Sequence, residues 1–256
     1  MATPTPGLEA TALWVGTAGM TLGTLYFLWR GRGVSDRKAQ EFYIITIFIT
    51  AIAAVSYFAM ATGYGLIEVN VAGLGTLDIY WARYADWLFT TPLLLLDLAL
   101  LVNAKRNTIY TLIGLDVLMI STGLAGALAT EGQLFRIFWW AISTGAFVVL
   151  LYYLLRTLTR EAATRDPETA KLFGQLRNLV IVLWSLYPVV WLLGTESGLA
   201  IIGLGVETAA FAVLDLTAKV GFGLVLLRSR AILGTDEGRE MDEATEEADL
   251  TGDAAV

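Results

Sequence analysis

The residues best suited to chemistry in this sequence are charged side chains that lie inside long apolar stretches. The two basic residues well inside such stretches are Arg83 and Lys219. The carboxylates inside them are Asp86, Asp97, Asp116 and Asp215. A charge at the centre of a bilayer costs at least about 2.5–3.5 kcal/mol, so these side chains must face the interior of a bundle and be paired or neutral. Buried groups of this kind can hold protons and pass them on.

Spacing places several of these side chains on shared helix faces. Asp215 and Lys219 are four residues apart, so they can form an ion pair on one face. Arg83, Asp86 and Asp97 share a face of another helix, together with Thr90. Read by depth, the sequence predicts a chain of proton-binding groups from one membrane surface to the other: Asp97, Lys219, Asp86, Asp215, Glu196 and Glu207.

Each of these groups also has a purely structural interpretation, and the residue types alone leave it open. The pair of Asp215 and Lys219 could lock two helices together. Asp116 could merely form a hydrogen bond to a threonine or serine on a neighbouring helix, which we take as at least as good an interpretation as a relay. Glu196 and Glu207 could be solvated acids at the ends of a loop.

Composition narrows both the class of protein and the chemistry. Hydrophobic residues make up 56% and charged residues 16% of the 256 residues, and the mean hydropathy is +0.65. An ordinary soluble domain is about 45–50% apolar and about 25% charged, so the sequence indicates a membrane protein. Cysteine and histidine are both absent, so no metal site of the usual nitrogen or sulfur ligands is expected. Acid–base chemistry must use Asp, Glu, Lys, Tyr or Arg.

Seven apolar stretches are long enough to cross a bilayer. They cover residues 9–29, 40–62, 80–102, 107–128, 134–155, 176–194 and 203–227. The sequence therefore predicts an all-α membrane protein, a bundle of seven transmembrane helices in the cell membrane. The connector 63–78 contains four glycines and could form a small hairpin, and Pro188 should kink or loosen the sixth helix.

Basic residues predict the orientation of the bundle. They cluster in the first, third and fifth connectors and after the last span, whereas the second and sixth connectors have none. Because Lys and Arg mark the cytoplasmic side, we expect the N-terminus outside and the C-terminus in the cytoplasm. Arg136 is a mild exception. We divide the chain into an extracellular segment 1–8, a transmembrane domain 9–230 and an acidic, disordered cytoplasmic tail 231–256.

Three segments of the sequence resemble the microbial rhodopsin family of haloarchaea. They are RYADWLFTTPLLLLDL at 83–98, LWSLYPVVW at 183–191 and LDLTAKVGFG at 214–223, and the resemblance extends over all seven spans. It implies a light-driven outward proton pump, a transporter and not an enzyme. It also implies that all-trans retinal is bound as a Schiff base to Lys219, a residue type whose proton affinity is easily tuned by burial.

The resemblance implies roles for individual positions. Those that match proton-transfer residues are Asp86 as acceptor and counter-ion, Asp215 as second counter-ion, Asp97 as cytoplasmic donor, and Arg83, Glu196 and Glu207 as the outward release group. Those that match the retinal pocket are Tyr84, Trp87, Thr90, Thr91, Met119, Trp139, Trp184, Tyr187 and Trp191, with Tyr57 near the counter-ions. We expect Arg83 to leave Asp86 and swing toward Glu196 and Glu207 once Asp86 is neutral. Trp139, Trp184 and Trp191 could also be packing residues.

Two alternatives remain beside the pump. One is a sensory photoreceptor that signals to a membrane transducer, and the other is a transporter or channel without a chromophore. In the family, chloride pumps carry threonine at the position of Asp86, and sensory members typically lack a carboxylate at that of Asp97. Departures from the family pattern are Gly145, Phe147 and an extra residue before Glu207. Expected partners are membrane lipid and two further copies in a homotrimer, a carotenoid is a further candidate, and no nucleic acid is expected.

Overall fold

The computed structural model describes residues 3–229, which form seven long helices and one short β-hairpin. The helices are α1 (Leu8–Gly31), α2 (Arg37–Ala61), α3 (Trp81–Leu101), α4 (Arg106–Leu128), α5 (Gln133–Ala162), α6 (Pro167–Leu193) and α7 (Leu204–Leu227). The strands are β1 (Ile67–Val71) and β2 (Gly75–Ile79). The predicted acidic tail, 231–256, lies outside the described residues.

Six of the helices, α2 to α7, are long and apolar enough to cross a membrane. Helix α1 has 24 residues but is less apolar, because four threonines and four glycines interrupt its aliphatic side chains. It packs along α2 and α7 and completes the bundle. The predicted all-α, seven-helix membrane architecture is confirmed. The side of the membrane that each terminus faces, and the division of the chain at residues 8 and 230, stay predictions.

Helix α6 begins nine residues earlier than predicted, at Pro167 instead of 176. The Asp166 carboxylate caps it by accepting a hydrogen bond from the Thr169 amide at 2.8 Å, and a proline at the first helical position suits the helix start. That hydrogen bond holds the pKa of the Asp166 carboxyl below its ordinary value. The predicted start was wrong because the first turns of α6 carry charged residues, which an apolar-run criterion excludes. The helix is continuous through Pro188.

Two helices contain a π-helical turn that the sequence did not predict. In α5 it covers Tyr153–Leu158, and in α7 it covers Thr217–Gly221 and includes Lys219. A π turn inserts an extra residue into the helical repeat and often occurs at functional sites. An apolar period near 3.6 residues does not reveal a single inserted residue, which explains why both turns were missed.

The predicted hairpin is confirmed, and its strands are antiparallel. The Ala72 amide donates to the Thr130 carbonyl at 2.9 Å, so the hairpin is bonded to the connection between α4 and α5. Glu68 and Asp78 lie directly opposite each other across the strands. Burial, Glu68 and then Glu9 raise the pKa of the Asp78 carboxyl. We call this end of the bundle the hairpin end, and the end that carries the α1–α2 connection the opposite end.

The interior differs between the two ends. Toward the opposite end, one large apolar cluster includes Leu94, Leu98 and Leu101 of α3, with Phe42 of α2 and Phe222 of α7. Toward the hairpin end, the buried residues include arginines and glutamates. The bundle therefore positions its charged groups unevenly along its length.

Candidate functional site in the bundle interior

Lys219 lies at the centre of the candidate site and is 1% exposed. Its amino group donates to Asp86 Oδ2 from α3 and to Asp215 Oδ1 on its own helix, the latter at 3.2 Å. The predicted pairing of Asp215 with Lys219 is confirmed. The site is thus one buried cation between two carboxylates, positioned by α3 and by the π turn of α7.

The two carboxylates have different hydrogen-bond partners. Asp215 also accepts from the Tyr57 hydroxyl at 2.7 Å, from Trp87 Nε1 at 3.1 Å and from the Tyr187 hydroxyl at 2.8 Å. Asp86 Oδ1 has no donor among the described residues. Asp215 therefore has three neutral donors besides Lys219, whereas Lys219 is the donor that the described residues offer to the Asp86 carboxylate.

Tyr57 reaches Asp215 because α1 leaves space for its ring. A Cβ atom at Gly16 would lie 2.2 Å from Tyr57 Cδ1, a distance that real contacts do not reach. The ring is 1% exposed. A glycine on α1 therefore helps to place the donor to Asp215.

A cavity of about 730 Å³, including its mouth, adjoins Asp215. Seven of the predicted pocket residues line it: Tyr84, Trp87, Thr91, Met119, Trp184, Tyr187 and Trp191. Side chains that were not predicted also contribute, among them Ile120, Ser143, Thr144 and Phe147. An aromatic cavity lined by Asp215, the hydrogen-bond partner of Lys219, fits an elongated apolar group held near that lysine.

Two predicted pocket residues do not line the cavity. Trp140 lines it in place of Trp139, and its Nε1 donates to the Pro188 carbonyl at 3.0 Å. Trp139 faces α4 at Gly126. Neighbouring helical residues point about 100° apart, so a choice between two adjacent tryptophans selects a different face. Thr90 is buried and donates to the Asp86 carbonyl at 2.8 Å, within α3.

Asp116 has the structural partner that was considered for it. The Thr91 hydroxyl of α3 donates to Asp116 Oδ2 of α4 at 2.7 Å. The carboxylate is fully buried. This hydrogen bond joins two helices beside the cavity, as the structural interpretation predicted.

A second charged cluster lies toward the hairpin end. Arg83 donates to Glu196 Oε1 at 3.2 Å, and the Tyr84 hydroxyl donates to the other carboxylate oxygen. The Arg83 guanidinium also lies 4.5 Å from the centre of the Phe211 ring and 3.5 Å from the Thr208 hydroxyl. The expectation that Arg83 pairs with Asp86 is wrong. In the structure Asp86 forms an ion pair with Lys219, and Arg83 forms one with Glu196.

Both glutamates of this cluster are fully buried, so their interpretation as solvated acids is wrong. Glu207 Oε2 accepts from the amide and the hydroxyl of Thr195, each at 2.7 Å. A Cβ atom at Gly194 would lie 2.3 Å from the Glu207 carboxyl carbon, so this close approach requires glycine. The connection between α6 and α7 is therefore shaped to enclose a carboxylate.

Arg136 is a functional candidate that the sequence did not suggest. It is fully buried, and it donates through Nε to the Glu196 carbonyl and through a terminal nitrogen to the Ala129 carbonyl at 2.8 Å. The available signal was its exception to the charge pattern, since basic residues are otherwise missing from the connectors at this end. Its cation adds to that of Arg83 beside the two glutamates.

Glu9 was also missed. It is 5% exposed and accepts a hydrogen bond from the Tyr80 hydroxyl. Burial and this hydrogen bond raise the pKa of Tyr80, whose ring lies 5.2 Å from the Arg83 guanidinium. Glu9 was placed at the end of a span, where acids are usually solvated, so nothing in its spacing indicated burial.

Asp97 lies apart from both clusters. It is 0% exposed, and neither carboxylate oxygen has a donor among the described residues. It lies eleven positions after Asp86 along α3, which at 1.5 Å per residue is about 16 Å. The predicted proton-binding groups therefore lie at three levels of the bundle. The two glutamates are at the hairpin end, Lys219 and its two aspartates are in the middle, and Asp97 is nearest the opposite end.

Comparisons with known proteins agree with this architecture. A family model described as bacteriorhodopsin-like protein matches residues 7–233. Bacteriorhodopsin of Haloterrigena sp. (strain arg-4) is 68% identical over 230 residues, which cover 90% of this chain and 91% of that protein. The crystal structure of thermophilic rhodopsin from Rubrobacter xylanophilus is 47% identical, with a TM-score of 0.81 over 88% of this chain and 97% of that one.

An anion-bound relative has the same fold. The bromide-bound form of halorhodopsin from Halobacterium salinarum is 34% identical, with a TM-score of 0.81 over 86% of this chain and 92% of that one. The fold similarity therefore includes a family member whose structure holds a bound bromide. The chain, a multi-pass protein of the cell membrane, belongs to the bacteriorhodopsin-like family of microbial rhodopsins.

Proposed function

We propose that this protein is a light-driven pump that moves protons out of the cell, and hence a transporter and not an enzyme. The observation that carries the proposal is Lys219, buried between Asp86 and Asp215, the second of which lines an aromatic cavity. Membership in a family whose relatives are named bacteriorhodopsin and archaerhodopsin supports it. We also propose, from the resemblance alone, a homotrimer and a carotenoid as candidate partners.

The cavity and the lysine fit all-trans retinal. Lys219 would hold it covalently, and the aromatic side chains Trp87, Trp184 and Tyr187 would pack along it. When bound, retinal supplies the absorption of light and a change of shape that alters the surroundings of the Lys219 nitrogen. The remaining chemistry belongs to the side chains of the protein.

The first proton transfer runs from the Lys219 nitrogen to Asp86. Asp86 Oδ2 already accepts a hydrogen bond from that nitrogen, so the proton has a direct path. Asp215 is the poorer acceptor, because three neutral donors stabilise its ionised form. Transfer to Asp86 neutralises both partners and leaves Asp215 ionised.

A proton is then released at the hairpin end. Once Asp86 is neutral, the positive charge of Arg83 favours a further negative charge on the pair of Glu196 and Glu207, to which it is already close. The pair gives up its proton toward the hairpin end. Arg136 holds the Glu196 main chain in place during this step.

Reprotonation of Lys219 comes from the opposite end. Asp97 has no ionic partner, and the surrounding cluster is apolar, so it is suited to carry a proton at rest. It gives this proton to the Lys219 nitrogen and is then refilled from the cytoplasmic side. This order makes the net transport outward.

The sensory photoreceptor is the second candidate. Its family members typically lack a carboxylate at the position of Asp97, and this chain has one, which favours turnover over signalling. The carboxylate at Asp86, in contrast to threonine in chloride pumps, favours protons over anions.

The test is to express the chain with all-trans retinal and to record external pH under yellow-green light, with and without a protonophore. We expect acidification that the protonophore abolishes. D86N is the matched variant: it should remain coloured, with its absorption shifted to the red, and should not acidify the medium. A coloured wild-type protein without a pH change would favour the photoreceptor, and a colourless protein would indicate a transporter without chromophore.

A further inference from the structure

We infer that the tip of the β-hairpin keeps the two buried glutamates in place, with Leu74 as a positioning residue for proton release; this inference rests on the proposed function. Leu74 lies in the tip, residues 72–74, between β1 and β2. A Cβ atom at Gly198, in the α6–α7 connection, would lie 2.4 Å from Leu74 Cδ1. Because real Cβ atoms do not come that close, Leu74 lies directly on the Gly198 main chain. Gly198 also has a φ of +82°, a conformation that favours glycine.

The tip also contacts the α4–α5 connection. The Ala72 amide donates to the Thr130 carbonyl at 2.9 Å, and a Cβ atom at Gly132 would lie 3.2 Å from the Ala72 carbonyl oxygen. Arg136 links the α4–α5 connection to the α6–α7 connection, because it donates to a main-chain carbonyl of each. The tip and the two connections therefore contact one another in a closed ring that includes Arg136.

Gly198 is close in the chain to the groups that hold both glutamates. It follows Glu196 by two residues, and it follows Thr195, the donor to Glu207, by three. The buried Ser197 hydroxyl accepts from the amide of the residue after Gly198 at 3.0 Å, which stiffens the segment further. Because closely packed groups transmit strain, a shift of Gly198 would move the Glu196 carboxylate and the Glu207 donors together.

The base of the hairpin is firmly packed, so the tip has a fixed support. Ile79 of β2 is fully buried in an apolar cluster, and Val69 and Leu77 pack against the same cluster. That cluster includes Tyr84, whose hydroxyl donates to Glu196. A two-stranded hairpin is at best marginally stable alone, so this packing holds it. The hairpin thus reaches the glutamates from two sides, through Tyr84 and through the α6–α7 connection.

The experiment uses the full pigmented chain and the variant L74A. Hydrogen exchange of the 194–200 amides in the dark should become roughly tenfold faster, since a large part of one leucine contact is lost. After a flash, proton release to a pH-sensitive dye should lag severalfold behind protonation of Asp86, which absorption follows. L74M keeps an apolar side chain of similar volume and should restore both. I67A, at the base of the hairpin and 39% exposed, is the matched control and should behave like the wild type.

A double-mutant cycle isolates the contact itself. G198A adds a methyl group that meets Leu74, so it should displace the tip in the wild type, whereas in L74A the methyl group has room. The backbone strain of a positive φ is the same in both backgrounds, so a smaller effect of G198A in L74A measures the contact. Unchanged absorption spectra verify that the variants are folded.

Three results would overturn the inference. Strictly additive effects of L74A and G198A on amide exchange would mean that the two residues do not act through one contact. Faster exchange with normal release in L74A would leave Leu74 a stabilising role alone, as would a delay that L74M does not rescue. A wild-type pigment that releases no proton would contradict the proposed function and this inference with it, whereas normal release in both wild type and L74A would contradict the inference alone.

Discussion

At the scale of single residues, the chemistry depends on how many donors each carboxylate has. Asp215 has three neutral donors besides Lys219, Asp86 has Lys219 and an unpaired oxygen, and Asp97 has none among the described residues. These different surroundings are the basis for proposing three different roles for one residue type: counter-ion for Asp215, proton acceptor for Asp86 and proton donor for Asp97. In the proposed cycle, Asp86 and Asp97 are the two aspartates that exchange protons with Lys219.

The proposed role of Asp97 as proton donor predicts a slow cycle when its side chain can no longer hold a proton. D97N cannot donate, so return of the proton to Lys219 must wait for one from bulk water, and we expect this phase to slow by about 10²-fold or more at neutral pH. The first transfer to Asp86 should keep its rate. Flash-induced absorption changes resolve the two phases, with D116N as the control for loss of a buried carboxylate. An unchanged late phase in D97N would remove the donor assignment.

The two adjacent tryptophans of α5 provide a matched pair of variants. Trp140 lines the cavity and Trp139 faces α4, so W140F should shift the absorption maximum and W139F should leave it nearly unchanged. Absorption spectra of the two purified pigments check this. A larger shift in W139F than in W140F would restore the original assignment of Trp139 to the pocket.

Much of the site could be predicted from the sequence, and the omissions have physical causes. Charged residues in apolar stretches are conspicuous, so Lys219 and the aspartates around it were identified. Glu9 and Arg136 lie near the ends of their helices, where a charge is ordinarily solvated, and only the packing of the loops over them makes them buried. A one-dimensional pattern does not contain that information.

At the scale of elements, the hairpin carries a like-charge pair that should make it sensitive to pH. The folded state raises the pKa of Asp78 above its ordinary value of 3.8, so the folded state binds the proton more tightly than the unfolded one. Hairpin stability is therefore greatest at low pH and falls as pH rises from that ordinary value through the raised one.

The variant D78N should abolish this dependence. Like charges directly opposite on two strands are unfavourable by about 0.2–1 kcal/mol, so D78N should stabilise the hairpin at neutral pH by that amount, and less at high salt. Hydrogen exchange of the β1 amides, followed from pH 4 to pH 8 after correction for intrinsic exchange, measures it. E68Q removes the partner charge but leaves the burial of Asp78, so it should weaken the pH dependence without abolishing it. The same pH dependence in all three proteins would contradict the explanation.

Helix boundaries were predictable only where the membrane sets them. The observed α7 agrees with its apolar stretch to one residue, whereas α5 continues to Ala162 and α6 starts at Pro167, both beyond their apolar runs. Beyond the apolar runs, main-chain hydrogen bonds continue these helices, and the Asp166 cap sets where α6 begins. The π turns could not be predicted from hydropathy either, because they depend on local main-chain geometry.

At the scale of the whole molecule, Arg136 connects the loops that close the hairpin end. Replacing it by methionine keeps an apolar stem but leaves the carbonyls of Ala129 and Glu196 without their charged donor. Hydrogen bonds to charged groups contribute about 1.5–3 kcal/mol each, so R136M should shorten the half-life of the pigment on heating by a large factor. R106M, at an exposed position of the opposite end, is the control. Equal half-lives would show that the loops close without Arg136.

The uneven distribution of charge along the bundle also matters in the dark. An imposed membrane potential of 100 mV drives each proton inward with about 2.3 kcal/mol, so a continuous row of polar groups would let the gradient run down. Among the described residues, Asp97 is the one buried ionisable side chain on the α3 segment that the leucine cluster surrounds. This apolar segment should block passive leakage of protons through the resting protein. Protons should then cross the bundle only when light drives the cycle.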